Sequence, residues 1–171
     1  MELVNLRQLA LIILIMKTIF NLLMKYLIFF VLIITLNFSC KKKVDQPAVD
    51  ENIIQQYNTK KSLDATATGT GLYYVIDKIG TGISPNNTST VKVAYKGFLT
   101  DGTPFDESSS DGISFSLKNV IKGWQEGIPL FKEGGSGTLL IPSALGYGNQ
   151  ATGKIPKNSV LIFEIELIEV L

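Results

Sequence analysis

The chain of 171 residues contains no histidine and only one cysteine, Cys40. Zinc is usually held by these two residue types, and nucleophilic sites usually pair a serine or a cysteine with a histidine. Their scarcity excludes most such sites and predicts that any chemistry proceeds without a metal, a cofactor or a covalent intermediate. The 16 basic and 15 acidic residues nearly cancel, so the chain lacks the bulk charge with which proteins hold nucleic acid.

The sequence is instead rich in apolar residues near its N-terminus. Starting at Met24, a short basic segment leads into an apolar run that ends at Cys40, a pattern typical of a bacterial lipoprotein signal. In such signals the cysteine is acylated and becomes the new N-terminus. Residues 1–39 are therefore predicted to be a signal peptide. Cys40 is predicted to be a lipid anchor that holds the protein in the bacterial cell envelope, in the periplasm or at the outer membrane. Asn37 and Phe38 depart from the strict form of this signal.

A second apolar stretch, residues 9–23, precedes Met24 and makes the N-terminus longer than a signal peptide needs. Either translation begins at Met24, or the long run is a membrane-spanning helix, which requires about 20 apolar residues. In the second case Lys41, Lys42 and Lys43 would form a positively charged flank and place the following domain in the cytoplasm. We favour the first interpretation, because Met24 opens a complete signal by itself.

Residues 40–69 are mostly polar and irregular, and we predict a tether between the lipid anchor and a folded domain. Ile53, Ile54 and Tyr57 have helical spacing, so a short helix over residues 50–61 that packs on the domain is the alternative. Isolated helices of this length are marginal in water. The solvated linker is therefore the preferred interpretation.

Beyond residue 69 the pattern changes to that of a sheet. Val91, Val93 and Tyr95 share one face of a predicted strand while Lys92 and Lys96 share the other, as expected when one face of a sheet is buried. Residues 70–171 are predicted to be one α+β domain, in which an antiparallel sheet packs against a short helix. The predicted strands are 72–76, 91–99, 113–117, 137–141 and 160–170, and the predicted helix is 123–130.

Five short motifs occur in order along this domain. They are Tyr95-Lys96-Gly97, Phe105-Asp106, Val120-Ile121-Lys122-Gly123-Trp124, Tyr147-Gly148 and the closing run of residues 160–167, VLIFEIEL. In this order the motifs resemble those of the FKBP-type peptidyl-prolyl isomerases, and the resemblance extends from about Gly71 to Leu171. It implies a twisted antiparallel half-barrel sheet that wraps around one short helix.

The resemblance also implies a cleft for a proline ring. Trp124 would form its floor, and Asp106 would polarise the surroundings of the twisting carbonyl without acting as a general base. The Tyr147 hydroxyl and the backbone N–H of Ile155 would bond the substrate peptide. Several wall residues would be buried in any domain of this shape, so burial alone does not identify a site. The walls would be Tyr95, Phe105, Phe115, Val120, Ile121 and Phe163.

By this resemblance the protein is expected to be a monomeric peptidyl-prolyl cis-trans isomerase that acts on proline-containing polypeptides and assists the folding of exported proteins. Rotation about an X-Pro bond faces a barrier of about 18–20 kcal/mol and needs no proton transfer, nucleophile or metal. The alternative is a binding module that holds proline-containing or unfolded segments with little turnover. Ile113 and Lys157 depart from the pattern of better-known members, which leaves macrolide affinity open.

Overall fold

The computed structural model describes the backbone of residues 2–36 and 44–171, and the side chains of residues 8–29 and 44–171. The chain divides into two units, Met1–Lys43 and Val44–Leu171. The predicted lipid anchor, Cys40, lies outside the described residues.

The first unit contains one long helix, α1 (Glu2–Leu36). Its segment Gln8–Phe29 is long and apolar enough to cross a membrane, and none of that segment is buried. A signal sequence and a membrane-spanning helix share these properties. The helix therefore fits both interpretations of the apolar N-terminus.

The second unit is a seven-stranded antiparallel sheet with a helix on each face. Three short 3-10 segments, Leu117–Asn119, Ile128–Leu130 and Ser143–Leu145, connect its parts. Its elements are α2 (Gln46–Lys61), β1 (Thr66–Ala67), β2 (Tyr73–Lys78), β3 (Thr90–Leu99), β4 (Pro104–Glu107), β5 (Ile113–Ser116), α3 (Lys122–Gly127), β6 (Gly135–Ile141) and β7 (Leu161–Val170).

The strand order is β1-β2-β6-β7-β3-β4, with β5 also paired to β3. Strand β3 pairs with β7 along its whole length, and its other edge pairs with β5 over residues 90–93 and with β4 over residues 96–98. All of these pairings are antiparallel, and β4 does not pair with β1, so the sheet stays open. The predicted α+β class, in which an antiparallel sheet packs against a short helix, is confirmed.

The inner face of the sheet packs against α3. Leu139 and Ile141 of β6 point to this face, together with Phe163 of β7 opposite Leu139. A Cβ atom on Gly123 would lie 2.4 Å from the Cγ2 atom of Ile141, and one on Gly127 would lie 2.5 Å from a Cδ atom of Leu139. Only glycine permits so close an approach, and it lets α3 sit directly on the sheet.

The outer face of the sheet is covered by α2. Proline at position 47 lies in the first turn of the helix, where its missing N–H costs no hydrogen bond, and Ser62 ends the helix in the left-handed conformation with φ 53°. Ile54 is completely buried against a second apolar cluster whose other members are Leu140, Val160 and Ile162.

This helix corrects the prediction that residues 46–61 belong to a solvated tether. The alternative of a packed helix is the one observed, and the helix begins four residues earlier than that alternative placed it. The polar composition suggested a linker because only a narrow stripe around Ile54 is apolar. A sheet surface that buries that stripe stabilises a helix that would be marginal alone.

The predicted strands and the predicted helix match the observed elements to within a few residues. The sequence did not indicate β1 or β4, which have two and four residues. Both are mostly exposed edge segments, so neither carries the alternation of apolar and polar residues that marks a half-buried strand.

Candidate functional site

Five aromatic side chains meet on the inner face of the sheet, beside the N-terminal end of α3. The indole of Trp124 lies 5.1 Å from the ring of Tyr95, 5.3 Å from Phe163 and 5.5 Å from Phe115, measured between ring centroids. All three contacts are close to perpendicular, the edge-to-face arrangement that aromatic quadrupoles favour. The remaining member is Phe105, whose ring lies 5.4 Å from Phe163.

Each of these side chains comes from a different element, and β3 brings several of them together. Tyr95 lies on β3, Phe163 on the neighbouring β7, and Phe105 and Phe115 on the two strands that share the other edge of β3. A Cβ atom on Gly97 would come within 2.5 Å of the Phe105 ring. The absence of a side chain at Gly97 therefore lets Phe105 reach across the strand to Phe163.

The phenol of Tyr95 is the polar group of this cluster. Its hydroxyl donates a hydrogen bond to Oδ2 of Asp106 at 2.7 Å, while the ring is 9% exposed. Burial raises the pKa of Tyr95 well above its ordinary value of 10.0, and the hydrogen bond and negative charge of Asp106 raise the pKa further, with a smaller effect from Tyr147. The proton of Tyr95 is therefore held firmly, and Asp106 is engaged as its acceptor.

Ser108 fixes the backbone on which Tyr95 sits. The N–H of Tyr95 donates to the Ser108 hydroxyl at 2.9 Å, and the N–H of Ser108 donates to the Tyr95 carbonyl at 3.0 Å. These two bonds take the place of strand pairing at this edge of β3, between residues 90–93, which pair with β5, and residues 96–98, which pair with β4. No sequence pattern singles out Ser108, because its role depends on this break in strand pairing.

Trp124 is 4% exposed, and its Nε1 atom has no hydrogen-bond partner among the described residues. Val120 and Ile121 are half-buried against the same cluster, immediately before the helix. The side-chain amide of Gln125 donates to the Val120 carbonyl at 2.8 Å and so ties this approach segment to α3. The segments before and after Trp124 are therefore bonded to each other, which fixes the position of the indole.

Tyr147 lies in the loop after β6 and is 38% exposed. Leu145 of the same loop packs against the buried core that contains Trp124 and Tyr95, which places the loop next to the aromatic cluster. Ile155 is buried in the core, but its backbone N–H donates to the carbonyl of Thr152 at 2.9 Å. The bond from this N–H to a substrate peptide stays a prediction, and it would require the N–H to leave the Thr152 carbonyl.

The structure thus brings together nearly all of the residues predicted from the sequence. The ring faces form an apolar surface on which a small cyclic side chain can pack. The Asp106 carboxylate and the phenols of Tyr95 and Tyr147 are the polar groups nearby. A dry surface of this kind can favour a twisted amide, which has lost part of its polarity with its planarity, over the planar forms. The roles assigned to the individual residues stay predictions.

Comparison with known proteins agrees with this geometry. Residues 82–168 match the family model described as FKBP-type peptidyl-prolyl cis-trans isomerase. The chain is 42% identical over 136 residues to the FKBP-type peptidyl-prolyl cis-trans isomerase FkpA of Aeromonas hydrophila, an alignment that covers 76% of this chain and 50% of that protein. It is 39% identical over 137 residues to FkpA of Escherichia coli strain K12, over 77% of this chain and 51% of that protein.

Solved structures share the fold. The crystal structure of FkpA from Escherichia coli superposes with a TM-score of 0.65 at 39% identity, and the match covers 72% of this chain and 60% of that chain. A peptidyl-prolyl cis-trans isomerase from Pseudomonas syringae superposes with a TM-score of 0.65 at 31% identity, over 73% of this chain and 92% of that chain. The chain spans about half the length of the curated relatives it matches.

Proposed function

This chain belongs to the FKBP-type peptidyl-prolyl cis-trans isomerase family, and on that premise we propose that it catalyses rotation about X-Pro bonds in exported polypeptides. The observation that carries the proposal is the aromatic cluster around Trp124 with the Tyr95–Asp106 pair at its edge. Activity, clients and cellular role belong to the proposal, since the curated relatives are about twice as long.

The reaction requires a surface that binds the twisted amide more tightly than the planar amide. A planar amide is stabilised by resonance, and its carbonyl loses polarity as the C–N bond rotates. Water bonds the planar form well, so an apolar cleft that removes water destabilises the ground state relative to the twisted form. The ring faces of Trp124, Phe163 and Phe105 would hold the proline ring, and the bond would rotate without any covalent step.

Polar groups at the cleft would orient the peptide. Tyr147 is 38% exposed, and its hydroxyl would donate to a substrate carbonyl and fix one side of the rotating bond. Asp106 accepts from Tyr95 and would place a negative charge beside the reacting amide. Both would act by position and electrostatics.

A protease-free assay of a short Phe-Pro peptide tests the proposal. The full chain, extracted in mild detergent, is expected to accelerate cis-trans exchange. The Tyr147→Phe variant should lose about one hydrogen bond, a few-fold to tenfold in rate. A folded wild-type chain that binds proline-containing peptides without accelerating exchange would instead favour the proline-binding module.

We further propose that the protein is a lipoprotein of the cell envelope, anchored through Cys40. The signal-like segment before Cys40 and the apolar character of α1 support this proposal. Intact mass of the membrane-extracted protein is expected to show a chain that begins at Cys40 with lipid attached. A chain that retains α1 and carries no lipid would overturn the lipid anchor and favour the membrane-spanning helix.

A further inference from the structure

Asp50 of α2 is a buried carboxylate outside the aromatic cluster, and it is only 1% exposed. Its Oδ2 atom accepts from the backbone N–H of Ser143 at 2.8 Å and from the Ser143 hydroxyl at 2.6 Å, and Oδ1 accepts from the side-chain amide of Gln46 at 2.7 Å. Burial of a charge is costly unless its oxygens are hydrogen-bonded. Here each oxygen has at least one donor.

Ser143 is the first residue of the turn that leads to Tyr147. Its carbonyl accepts from the N–H of Gly146 at 3.0 Å and from the N–H of Gly148 at 2.8 Å, so the residues on both sides of Tyr147 bond to one atom. Gly148 adopts φ +60°, a conformation that favours glycine and turns the chain sharply after Tyr147. The position of Ser143 therefore decides where Tyr147 is held.

We infer that Asp50 is a positioning residue for the reaction: through Ser143 it holds the loop of residues 143–148 so that the Tyr147 hydroxyl faces the bound peptide. The inference rests on the proposed function, in which that hydroxyl bonds the substrate. Hydrogen bonds to a charged acceptor are the stronger kind, and these two fasten the start of the loop to a helix that is itself packed on the sheet through Ile54.

The position of Asp50 in the helix agrees with this role. The adjacent acid, Glu51, accepts from the hydroxyl of Tyr73 at 2.6 Å and ties α2 to β2, with no bond to the loop. Two neighbouring carboxylates of one helix thus serve separate partners. Glu51 supplies a matched control, because its loss loosens the same helix without touching Ser143.

The test is a double-mutant cycle on the full chain in mild detergent. Asp50→Ala is expected to lower kcat/KM for a Phe-Pro peptide about three- to tenfold, whereas Glu51→Ala should change it less than about twofold. In a Tyr147→Phe background Asp50→Ala should cause less than about a twofold further loss, since the group it positions is already gone. A purely structural role would lower the rate equally in both backgrounds, and that result would overturn the inference.

The conservative variant adds a second arm. Asp50→Asn keeps an oxygen that can face Ser143, while the amide nitrogen can donate to a flipped Gln46, so its rate should stay within about twofold of wild type. Should Asp50→Ala fail to fold, Ser143→Ala gives the same cycle at smaller amplitude, because it removes only the hydroxyl bond. If Ser143→Ala lowers the rate equally in the wild-type and the Tyr147→Phe backgrounds, the inference is contradicted.

Hydrogen exchange separates this inference from the proposed function. Asp50→Ala should speed exchange of the amides at Ser143, Gly146 and Gly148, and Glu51→Ala should leave them protected. If the wild-type chain shows no isomerase activity, the proposed function fails, and these amides still report whether Asp50 holds the loop. Unchanged exchange in Asp50→Ala, or an equal rise in both variants, would overturn the positioning role.

Discussion

Trp124 combines two roles, because it is nearly buried among aromatic side chains and is also the predicted floor of the cleft. Replacement by alanine should lower the free energy of unfolding by about 3–5 kcal/mol, the usual cost of removing a large core side chain. We expect isomerisation to fall far more than the loss of folded protein explains. Urea unfolding, combined with peptide isomerisation scaled to the folded fraction, measures both effects.

The matched control for Trp124 is Phe131, an aromatic core residue that is 1% exposed. Its ring is not among the ring pairs that form the cluster of five aromatic side chains. Phe131→Ala should cost a similar free energy, about 3–5 kcal/mol, because a comparable cavity is opened. Activity per folded molecule should stay near wild type. Equal residual activity in the two variants would show that Trp124 serves only the core.

The raised pKa of Tyr95 has a consequence for stability at alkaline pH. The folded state favours the protonated phenol, so this stabilisation is complete below the ordinary pKa of 10.0 and is lost as pH rises through the higher folded pKa. Tyr95→Phe lacks the group, while Tyr57 and Tyr73, whose pKa values are also raised, are present in both proteins. The stability advantage of wild type over the variant should be constant up to about pH 10 and shrink above it. Urea unfolding across this range gives the difference, and an advantage that grows with pH would contradict the assigned cause.

At the scale of elements, the closeness of α3 to the sheet depends on Gly123. Helix propensity alone favours alanine over glycine by about 1 kcal/mol. A Cβ atom at Gly123 would, however, lie 2.4 Å from the Cγ2 atom of Ile141, and overpacking of this kind typically costs about 1–3 kcal/mol. We therefore expect Gly123→Ala to destabilise the protein and to reduce activity by displacing the adjacent Trp124.

Chemical denaturation and the peptide assay together decide this prediction. Lys122→Ala is the control, since Lys122 is exposed in the same helix, and its effect should remain within about 0.5 kcal/mol. A Gly123→Ala protein more stable than wild type would mean that propensity outweighs the contact with Ile141.

The elements also show what sequence patterns can and cannot reveal. Strand β3 was predictable because Val91, Val93 and Tyr95 share one face while Lys92 and Lys96 share the other. The aromatic cluster was predictable because its motifs resemble those of a known family. The bond between Asp50 and Ser143 joins residues 93 positions apart, and nothing local marks either one. The bond from the Ile155 N–H to the Thr152 carbonyl likewise depends on the folded turn and has no mark in the sequence.

At the scale of the molecule, two apolar clusters lie on opposite faces of one sheet. The inner cluster contains the candidate site, and the outer cluster joins α2 to the sheet through Ile54. Because successive residues of β6 alternate between the clusters, Leu139 and Leu140 pack against α3 and α2 respectively. The two helices therefore pack on opposite faces of the same strand, β6. The hydrogen bonds from Ser143 to Asp50 add a polar connection between α2 and the loop at the edge of the candidate site.

This arrangement predicts that the stable unit begins near Val44, well before residue 70. A fragment of residues 44–171 should unfold in one cooperative urea transition. A fragment of residues 70–171 lacks α2 and β1 and exposes Leu140, Val160 and Ile162, so its stability should fall by more than the roughly 2–5 kcal/mol expected for Ile54→Ala alone. Ile54→Ala in the longer fragment is the matched control, and binding of a hydrophobic dye should rise mainly in the shorter fragment. Equal unfolding midpoints for the two fragments would mean that α2 contributes nothing to the folded state and that residues 44–69 are a tether after all.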